Sequence, residues 1–312
     1  MKLAMVFPGQ GSQAVGMMNG WGDHPVVRAT FDEASAALGQ DLWALVAEGP
    51  AEDLNLTTNT QPVMLTAGIA AWRAWLAAGG PQPVLLAGHS LGEYTALVAA
   101  GTLAFRDAVP LVRFRAQAMQ DAVPAGVGAM AAIMGAPDDD AVIAACAEAA
   151  LGQVVEAVNF NAPGQLVIAG HREAVERAIA VAKTKGAKRG VILPVSAPFH
   201  SSLLRPAALR LAARLAKITM TAPTIAVLHN VDVLMHDSPD DIRHALAQQA
   251  AHPVRWTATM QAMGAQGITH VVECGPGKVL AGLAKRSVDS VQAYSLTDGE
   301  ALAATLAELA AA

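Results

Sequence analysis

The sequence predicts an α/β protein of two domains, in which a small domain interrupts a larger one. Short apolar runs with the length of buried strands alternate with helical stretches along most of the chain. Between residues 126 and 195 the predicted elements follow the order β-α-β-β-α-β, which is the ferredoxin-like split pattern. We therefore assign residues 1–125 and 196–312 to the large domain and residues 126–195 to a ferredoxin-like insert.

The composition is that of a well-buried globular protein. The 312 residues are 53% hydrophobic and 15% charged, which excludes a disordered chain and leaves room for a large core. Charged residues interrupt every apolar stretch before it reaches the roughly 18 residues that a membrane span requires, and Met1–Phe7 is too short for a signal-peptide core. The net charge of −5 argues against nucleic acid as a partner. Cys146 and Cys274 lie far apart without metal-site spacing, so we expect reduced thiols in a cytoplasmic protein.

The stretch Val84–Tyr94 reads V-L-L-A-G-H-S-L-G-E-Y and predicts a sharp turn from a strand into a helix. Val84–Ala87 has the length of a buried strand, and Leu91–Ala100 is rich in Ala and Leu. A serine in a G-x-S-x-G pentapeptide between such elements is typical of a nucleophile elbow, where the glycines let strand and helix approach each other. Ser90 is therefore the candidate nucleophile, and the alternative is an ordinary capping serine.

A glycine-rich loop, Pro8–Gln13, follows the first predicted strand, Lys2–Phe7. Its spacing of Gly9, Gly11 and Ala14 imitates a dinucleotide fingerprint. Three further glycines downstream would break the helix that a pyrophosphate site requires, which argues against nucleotide binding. Such a loop can instead offer backbone N–H groups to a developing oxyanion.

The remaining elements follow from apolar patterns and from Pro and Gly boundaries. In the large domain we predict strands at Thr224–His229, His270–Cys274 and Val291–Leu296. We predict helices there at Pro25–Leu38, Ala51–Leu56, Gln61–Ala78, Arg106–Ala122, Arg205–Leu215 and Asp240–Gln249, after Gly275-Pro276-Gly277-Lys278, and at the alanine-rich C-terminus. In the insert we predict strands at Gly126–Met134, Gln153–Asn159, Gln165–Ala169 and Arg189–Val195, and helices at Asp138–Ala150 and Glu173–Lys185.

A serine nucleophile needs a base, and the residues by themselves leave three histidines open. His200, His229 and His270 all lie at strand boundaries, near the expected active edge of a sheet. His89 is adjacent to Ser90, so we expect its side chain to point away from the hydroxyl. The residues by themselves also leave open which arginine is the candidate cation. Arg113 and Arg115 are two positions apart, so they face different sides of one helix. For either arginine a solvated surface position is the default expectation.

A series of motifs runs through the chain in a fixed order. They are F-P-G-Q-G-S-Q at Phe7–Gln13, T-Q-P at Thr60–Pro62, G-H-S-L-G-E-Y at Gly88–Tyr94, R-x-x-A-M at Arg115–Met119, N-x-N-x-P-x-Q at Asn159–Gln165, S-A-P-F-H-S at Ser196–Ser201, Gln249 ahead of Pro253-Val254, and G-P-G-K-V-L at Gly275–Leu280. Together they resemble the malonyl-CoA:acyl carrier protein transacylases of type II fatty acid synthesis. The resemblance implies an α/β-hydrolase-like large domain with a mostly parallel sheet, beside the ferredoxin-like insert.

The same resemblance implies a set of catalytic roles. Ser90 would be the nucleophile and His200 its base, with the backbone carbonyl of Gln249 orienting the imidazole in place of a carboxylate. Backbone N–H groups of Gln10 and Leu91 would form the oxyanion hole. Acyl exchange would then proceed in two steps through a malonyl-serine intermediate.

Substrate recognition follows from the resemblance as well. Arg115 would pair with the free carboxylate of the malonyl group, Gln61 would line the pocket, and Phe199 fits the malonyl-selective pattern. The implied substrates are malonyl-CoA and the phosphopantetheine thiol of an acyl carrier protein, with no cofactor and no metal. We expect a monomer.

The sequence also offers a candidate surface for the carrier protein. Lys183, Lys185, Lys188 and Arg189 cluster around Gly186, at the end of the second helix of the insert. Basic residues at a helix C-terminus complement its dipole without any partner, so a solvated face is the alternative. Because carrier proteins of this pathway are acidic, the cluster could steer them electrostatically.

Three other functions are compatible with parts of the pattern. A discrete acyltransferase that loads polyketide synthase carrier proteins would differ only in its partner. A serine esterase or thioesterase would share the elbow and the fold, but it would have no use for Arg115 in the acyl pocket. A non-catalytic carrier-protein binding module would not need Ser90 and His200 together.

Overall fold

The computed structural model describes residues 1–311, which form nine β-strands and thirteen α-helices. The strands are β1 (Leu3–Phe7), β2 (Leu85–Gly88), β3 (Gly128–Met134), β4 (Val155–Ala162), β5 (Gln165–His171), β6 (Arg189–Ile192), β7 (Ala226–Leu228), β8 (His270–Cys274) and β9 (Gln292–Leu296). The helices are α1 (Pro25–Leu38), α2 (Leu42–Glu48), α3 (Ala51–Leu54), α4 (Thr57–Ala77), α5 (Gly92–Ala99), α6 (Phe105–Asp121), α7 (Asp139–Ala150), α8 (Arg172–Thr184), α9 (Arg205–Leu215), α10 (Pro239–Gln249), α11 (Trp256–Ala265), α12 (Val279–Ser287) and α13 (Gly299–Ala310).

Five strands form a sheet in the order β7-β2-β1-β8-β9, and every pair in it is parallel. Every residue of β1, β2 and β8 is buried, because parallel strands are covered on both faces. This explains why these strands appear in the sequence as continuous apolar runs rather than as alternating patterns. The predicted α/β architecture with a parallel sheet is confirmed.

The other four strands form an antiparallel sheet in the order β4-β5-β3-β6. The elements from β3 to β6 follow each other as β-α-β-β-α-β, with α7 and α8 as the two helices. A parallel bridge pairs Asn159 with Val254, and the Phe160 N–H donates to the Val254 carbonyl over 3.0 Å. Strand β4 is therefore bonded to the segment that links α10 to α11.

The predicted start of the long helix at Gln61 is wrong. Helix α4 begins four residues earlier, at Thr57, so that Pro62 lies inside it. A proline in the second turn of a helix removes only one intrahelical hydrogen bond, and the Thr60 hydroxyl adds another contact to the Leu54 carbonyl over 2.6 Å. Gln61 therefore lies within the helix, in its second turn, rather than at its first position.

Two helices were missing from the prediction, α2 and α11. Helix α2 has a clear start signal, because the Asp41 carboxylate accepts from the Ala44 N–H at its N-terminus. Helix α11 buries Trp256, Met260 and Met263 on one face, at helical spacing. Both helices are short, and short apolar segments are ambiguous between helix and strand.

Two kinds of feature are absent from residues 1–311. None of the helices in this range has both the length and the apolar character of a membrane span. The same residues contain no cluster of three or more His, Cys, Asp or Glu side chains that could hold a metal ion.

Candidate active site

Ser90 lies at the apex of the turn between β2 and α5, with a φ of 52°. A positive φ is strained for a residue with a side chain, and it is the backbone expected of a nucleophile elbow. The two flanking glycines are required by contact distances. A Cβ added to Gly88 would lie 1.9 Å from the backbone of Gly92, and one added to Gly92 would lie 2.0 Å from the Phe7 carbonyl oxygen.

His200 is the histidine that contacts Ser90. Its Nε2 lies 2.7 Å from Ser90 Oγ, and its Nδ1 lies 2.8 Å from the backbone carbonyl oxygen of Gln249. Because a carbonyl can only accept, Nδ1 carries the proton and Nε2 is left to accept from the serine hydroxyl. His200 also has a positive φ, of 66°, so both members of the pair are held in strained backbone conformations.

The electrostatic environment keeps this imidazole neutral. Burial, and secondarily the neighbouring Arg115 cation, lowers the pKa of His200 to about 3 from its ordinary value of 6.5. At neutral pH the ring therefore has a free lone pair on Nε2.

The other candidate histidines have different surroundings. His229 Nδ1 lies 2.7 Å from the Glu93 carboxylate in a fully buried pair. His270 contacts its neighbour Thr269 and stacks on the Tyr294 ring. His89 Nε2 is bonded to Asn161 Oδ1 over 2.8 Å, although its ring also lines the cavity beside Ser90.

Arg115, on α6, is directed into the site. Its exposed fraction is 1%, and it donates to Ser90 Oγ over 3.1 Å, to Gln61 Oε1 over 2.9 Å and to Gln249 Oε1 over 2.8 Å. The default expectation of a solvated surface is thus wrong for Arg115. Arg113 points elsewhere, to Gln40 and Asn59, as the helical spacing predicts.

The loop after β1 lies against the elbow. A Cβ added to Gly9 would lie 2.6 Å from the His89 carbonyl oxygen, so only glycine permits this approach. It brings Gln10 and Leu91 to the same cavity as Ser90. Among residues 1–311, neither the Gln10 nor the Leu91 backbone N–H donates a hydrogen bond to another protein group. Both therefore remain available as donors.

These groups surround a cavity of about 120 Å³ that is lined by polar and apolar residues in equal number. The polar lining residues are Gln10, Gln61, His89, Ser90, Arg115, Asn159 and His200. The apolar lining residues are Leu91, Met119, Met130, Val167, Leu193, Val195 and Phe199. All seven site residues implied by the motifs are at this cavity or, for Gln249, bonded to residues that line it. No pattern in the sequence indicated that the Gln249 side chain also bonds to Arg115.

A serine bonded to a neutral histidine at the edge of a parallel sheet, with spare N–H donors nearby, is the arrangement of a serine acyltransferase or hydrolase. A buried guanidinium beside that serine has the chemistry to pair with an anionic group. A family model described as an acyl transferase domain matches residues 4–306 of the chain.

Comparisons with individual proteins narrow this class. The chain is 57% identical to the malonyl CoA-acyl carrier protein transacylase of Escherichia coli K12, over 98% of this chain and 99% of that protein. The crystal structure of an acyl-carrier-protein S-malonyltransferase from Burkholderia pseudomallei is 62% identical, with a TM-score of 0.97 over 98% of this chain and all of that one. A malonyl-transacylase solved in complex with its type II PKS acyl-carrier protein is 50% identical, with a TM-score of 0.97 over 99% of this chain and all of that one. The chain belongs to the family of malonyl CoA-acyl carrier protein transacylases.

Proposed function

We propose that this chain transfers the malonyl group of malonyl-CoA to the phosphopantetheine thiol of an acyl carrier protein, for fatty acid biosynthesis, through a malonyl ester of Ser90. One observation carries the proposal most directly: the buried Arg115 guanidinium lies 3.1 Å from Ser90 Oγ, which is itself 2.7 Å from His200 Nε2. An enzyme for neutral acyl groups would have no reason to bury an arginine at its nucleophile. The names of the relatives support the same activity.

In the first step His200 Nε2 accepts the hydroxyl proton of Ser90 as Oγ attacks the thioester carbon. The oxyanion that develops is stabilised by the N–H groups of Gln10 and Leu91. The intermediate then collapses, the C–S bond breaks, and His200 returns the proton to the departing CoA thiolate. The pantetheine thiol reverses these steps and takes the malonyl group from Ser90.

The Gln249 carbonyl suits this substrate better than a carboxylate would. A neutral acceptor holds the His200 tautomer without adding a second negative charge beside the malonate. Arg115 pairs with the malonyl carboxylate, since a planar guanidinium can hold both oxygens and stays charged when buried. This pairing also offsets the cation that depresses the His200 pKa, so the bound substrate increases the basicity of the ring. The reaction needs no cofactor, because nucleophile, base and donors all come from the chain.

We also propose that the small antiparallel sheet, within residues 126–195, is a ferredoxin-like insert in an α/β-hydrolase-like domain.

The basic cluster of the insert lies beside the edge strand β6, and the chain after β6 continues into the cavity residues Leu193 and Val195. Lys183, Lys188 and Arg189 are exposed, and Lys185 forms an ion pair with Glu148 over 2.9 Å. We propose that this cluster steers the acidic carrier protein toward the cavity.

A second partner is supported by one relative. The malonyl-transacylase solved with a type II PKS acyl-carrier protein is 50% identical to this chain. Loading of a polyketide carrier protein is therefore the alternative within the same chemistry.

Intact-mass measurement tests the proposal. Malonyl-CoA alone should add one malonyl group, located on the peptide that contains Ser90, and addition of a carrier protein with its pantetheine thiol should remove it. Ser90→Ala should show no adduct. An adduct on Ser90→Ala would exclude the mechanism, and loss of the adduct to water as fast as it forms would indicate a hydrolase.

A further inference from the structure

Behind the nucleophile lies a buried polar cluster that the proposed reaction does not use. It consists of Glu93 on α5 together with His229 and Asn230 after β7, and the exposed fraction of each is 0%. Buried polar side chains are costly unless they are hydrogen-bonded. Their contacts therefore indicate what the cluster holds in place.

Asn230 bonds to the backbone of the elbow on both sides of His89. Its Nδ2 donates to the Gly88 carbonyl over 2.7 Å, and its Oδ1 accepts from the Ser90 N–H over 2.8 Å. Gly88 is the last residue of β2, and Ser90 precedes α5, so neither helix nor strand bonding holds the Ser90 N–H. The Asn230 amide thus takes the place of regular secondary structure at the turn.

Glu93 connects Asn230 to Gln249, which bonds to the other backbone polar group of Ser90. Its Oε2 accepts from the Asn230 N–H over 3.0 Å and from Gln249 Nε2 over 2.9 Å. Gln249 Nε2 also donates to the Ser90 carbonyl over 2.8 Å. Both backbone polar groups of Ser90 are therefore bonded to buried amide side chains, and one carboxylate oxygen connects the two.

We propose that Asn230 is a positioning residue for acylation, which holds the strained Ser90 backbone so that Oγ stays aligned with His200. This inference rests on the proposed function, in which Ser90 is the nucleophile. A residue with a φ of 52° persists only when its surroundings impose that conformation. A displacement of the nucleophile by about 1 Å costs about 10²-fold in rate.

The test compares Asn230→Leu with the wild-type protein under saturating malonyl-CoA, by rapid-quench intact mass. Leu has nearly the same size but bonds to neither backbone group. The rate of Ser90 acylation should fall about 10²-fold. Acetyl-CoA and a small uncharged fluorophosphonate should lose reactivity by the same factor, because Asn230 acts on the serine and leaves Arg115 untouched. If malonyl-CoA, acetyl-CoA and the fluorophosphonate lose reactivity by different factors, the proposal is wrong.

Thr259→Val is the matched control. Thr259 is fully buried in α11, and its hydroxyl donates to the carbonyl of Arg255, the residue before that helix, away from the cavity. It should lower the melting temperature and leave the acylation rate at the wild-type value. If Asn230→Leu behaves in the same way, Asn230 is only structural and the inference is wrong.

Asn230→Ala covers the case in which the leucine variant does not fold. The space left by alanine can admit water to the Gly88 carbonyl and the Ser90 N–H, which offsets the cost of leaving them unbonded. Its acylation rate should still fall by at least about 10-fold, because mobile water cannot impose one backbone conformation. If Ser90 of the wild-type protein is acylated and Asn230→Ala is acylated at the same rate, this inference alone is wrong. Absence of acylation in the wild type overturns the proposed function.

Discussion

The two sheets contribute to the cavity in different ways. The central strands of the parallel sheet, β1, β2 and β8, are fully buried, and the loops after β1 and β2 carry Gln10 and Ser90. The antiparallel sheet has half-exposed strands at its two edges, and it contributes Met130, Asn159 and Val167 to the cavity, none of which is hydrogen-bonded to Ser90 or His200.

This difference matches what two kinds of group require, those that react with the substrate and those that only line the pocket. Reacting atoms must be held to a fraction of an ångström, and a sheet packed on both faces can do this because neighbouring layers fix its strand ends. A wall that bonds to no reacting atom needs only the right shape. We therefore expect substitutions at the edge of the parallel sheet to reduce turnover, and substitutions on the antiparallel sheet to change how substrates and partners bind.

The largest effect should come from His200→Ala. Without an acceptor for the Ser90 proton, acylation by malonyl-CoA should slow on the order of 10⁴- to 10⁶-fold, as for loss of the base in other serine enzymes. Single-turnover intact mass gives the rate, and circular dichroism checks the fold. If the folded variant is acylated at a rate within 10-fold of the wild-type rate, another group acts as the base.

Arg115→Ala should have the next largest effect. Loss of the partner for a buried carboxylate should cost about 2–5 kcal/mol in kcat/KM for malonyl-CoA. Acetyl-CoA, which has no carboxylate, should gain relative to malonyl-CoA, and Arg115→Lys should restore only part of the loss because an ammonium lacks the planar fork. The measurement is kcat/KM for both substrates. An unchanged ratio would mean that the malonyl carboxylate is bound by a group other than Arg115.

The pH dependence of kcat/KM should distinguish Arg115→Ala from the wild-type protein by a smaller margin. Because burial and the Arg115 cation hold the His200 pKa at about 3, kcat/KM for malonyl-CoA should not lose activity through His200 as the pH falls from about 8 to about 5. In Arg115→Ala the cation is absent, so the His200 pKa should rise and an acid limb should move to higher pH. A wild-type acid limb near pH 6.5 would contradict this.

The same pKa shift has a consequence for stability. Below about pH 6.5 an unfolded chain binds a proton at His200 that the folded chain does not, so stability should decline as the pH falls toward about 3. Melting temperatures of wild type and His200→Ala at several pH values would show this difference.

The smallest effect should come from the edge of the antiparallel sheet. Reversing Lys185 and Lys188 to Glu should raise KM for the carrier protein by about 10-fold at low salt and leave acylation by malonyl-CoA unchanged. Asp139→Lys with Asp140→Lys, on the neighbouring α7, is a charge-reversal control of the opposite sign. Unchanged carrier kinetics at low salt in the lysine variant would leave the cluster as a solvated face.

Local patterns in the sequence were sufficient to predict the parts of the protein that depend on neighbouring residues. The apolar run of β8 predicted that strand to the residue, and helices α1 and α9 were also predicted with their observed ends. The elbow glycines indicated a close approach of backbones that the distances at Gly88 and Gly92 confirm. The start of α4 was wrong because Pro62 favours a first-turn position, while packing keeps the helix intact past it.

Only the tertiary structure decided between groups that are equivalent along the chain. His200, His229 and His270 have the same local signal, and the one that meets Ser90 is 110 residues away in the sequence. The burial of Arg115 likewise depends on Gln61 and Gln249, from two other helices. The Asn230 contacts with the elbow span about 140 residues. Pairing over such separations is set by how the helices and the sheet pack together, and no local pattern of residues carries that information.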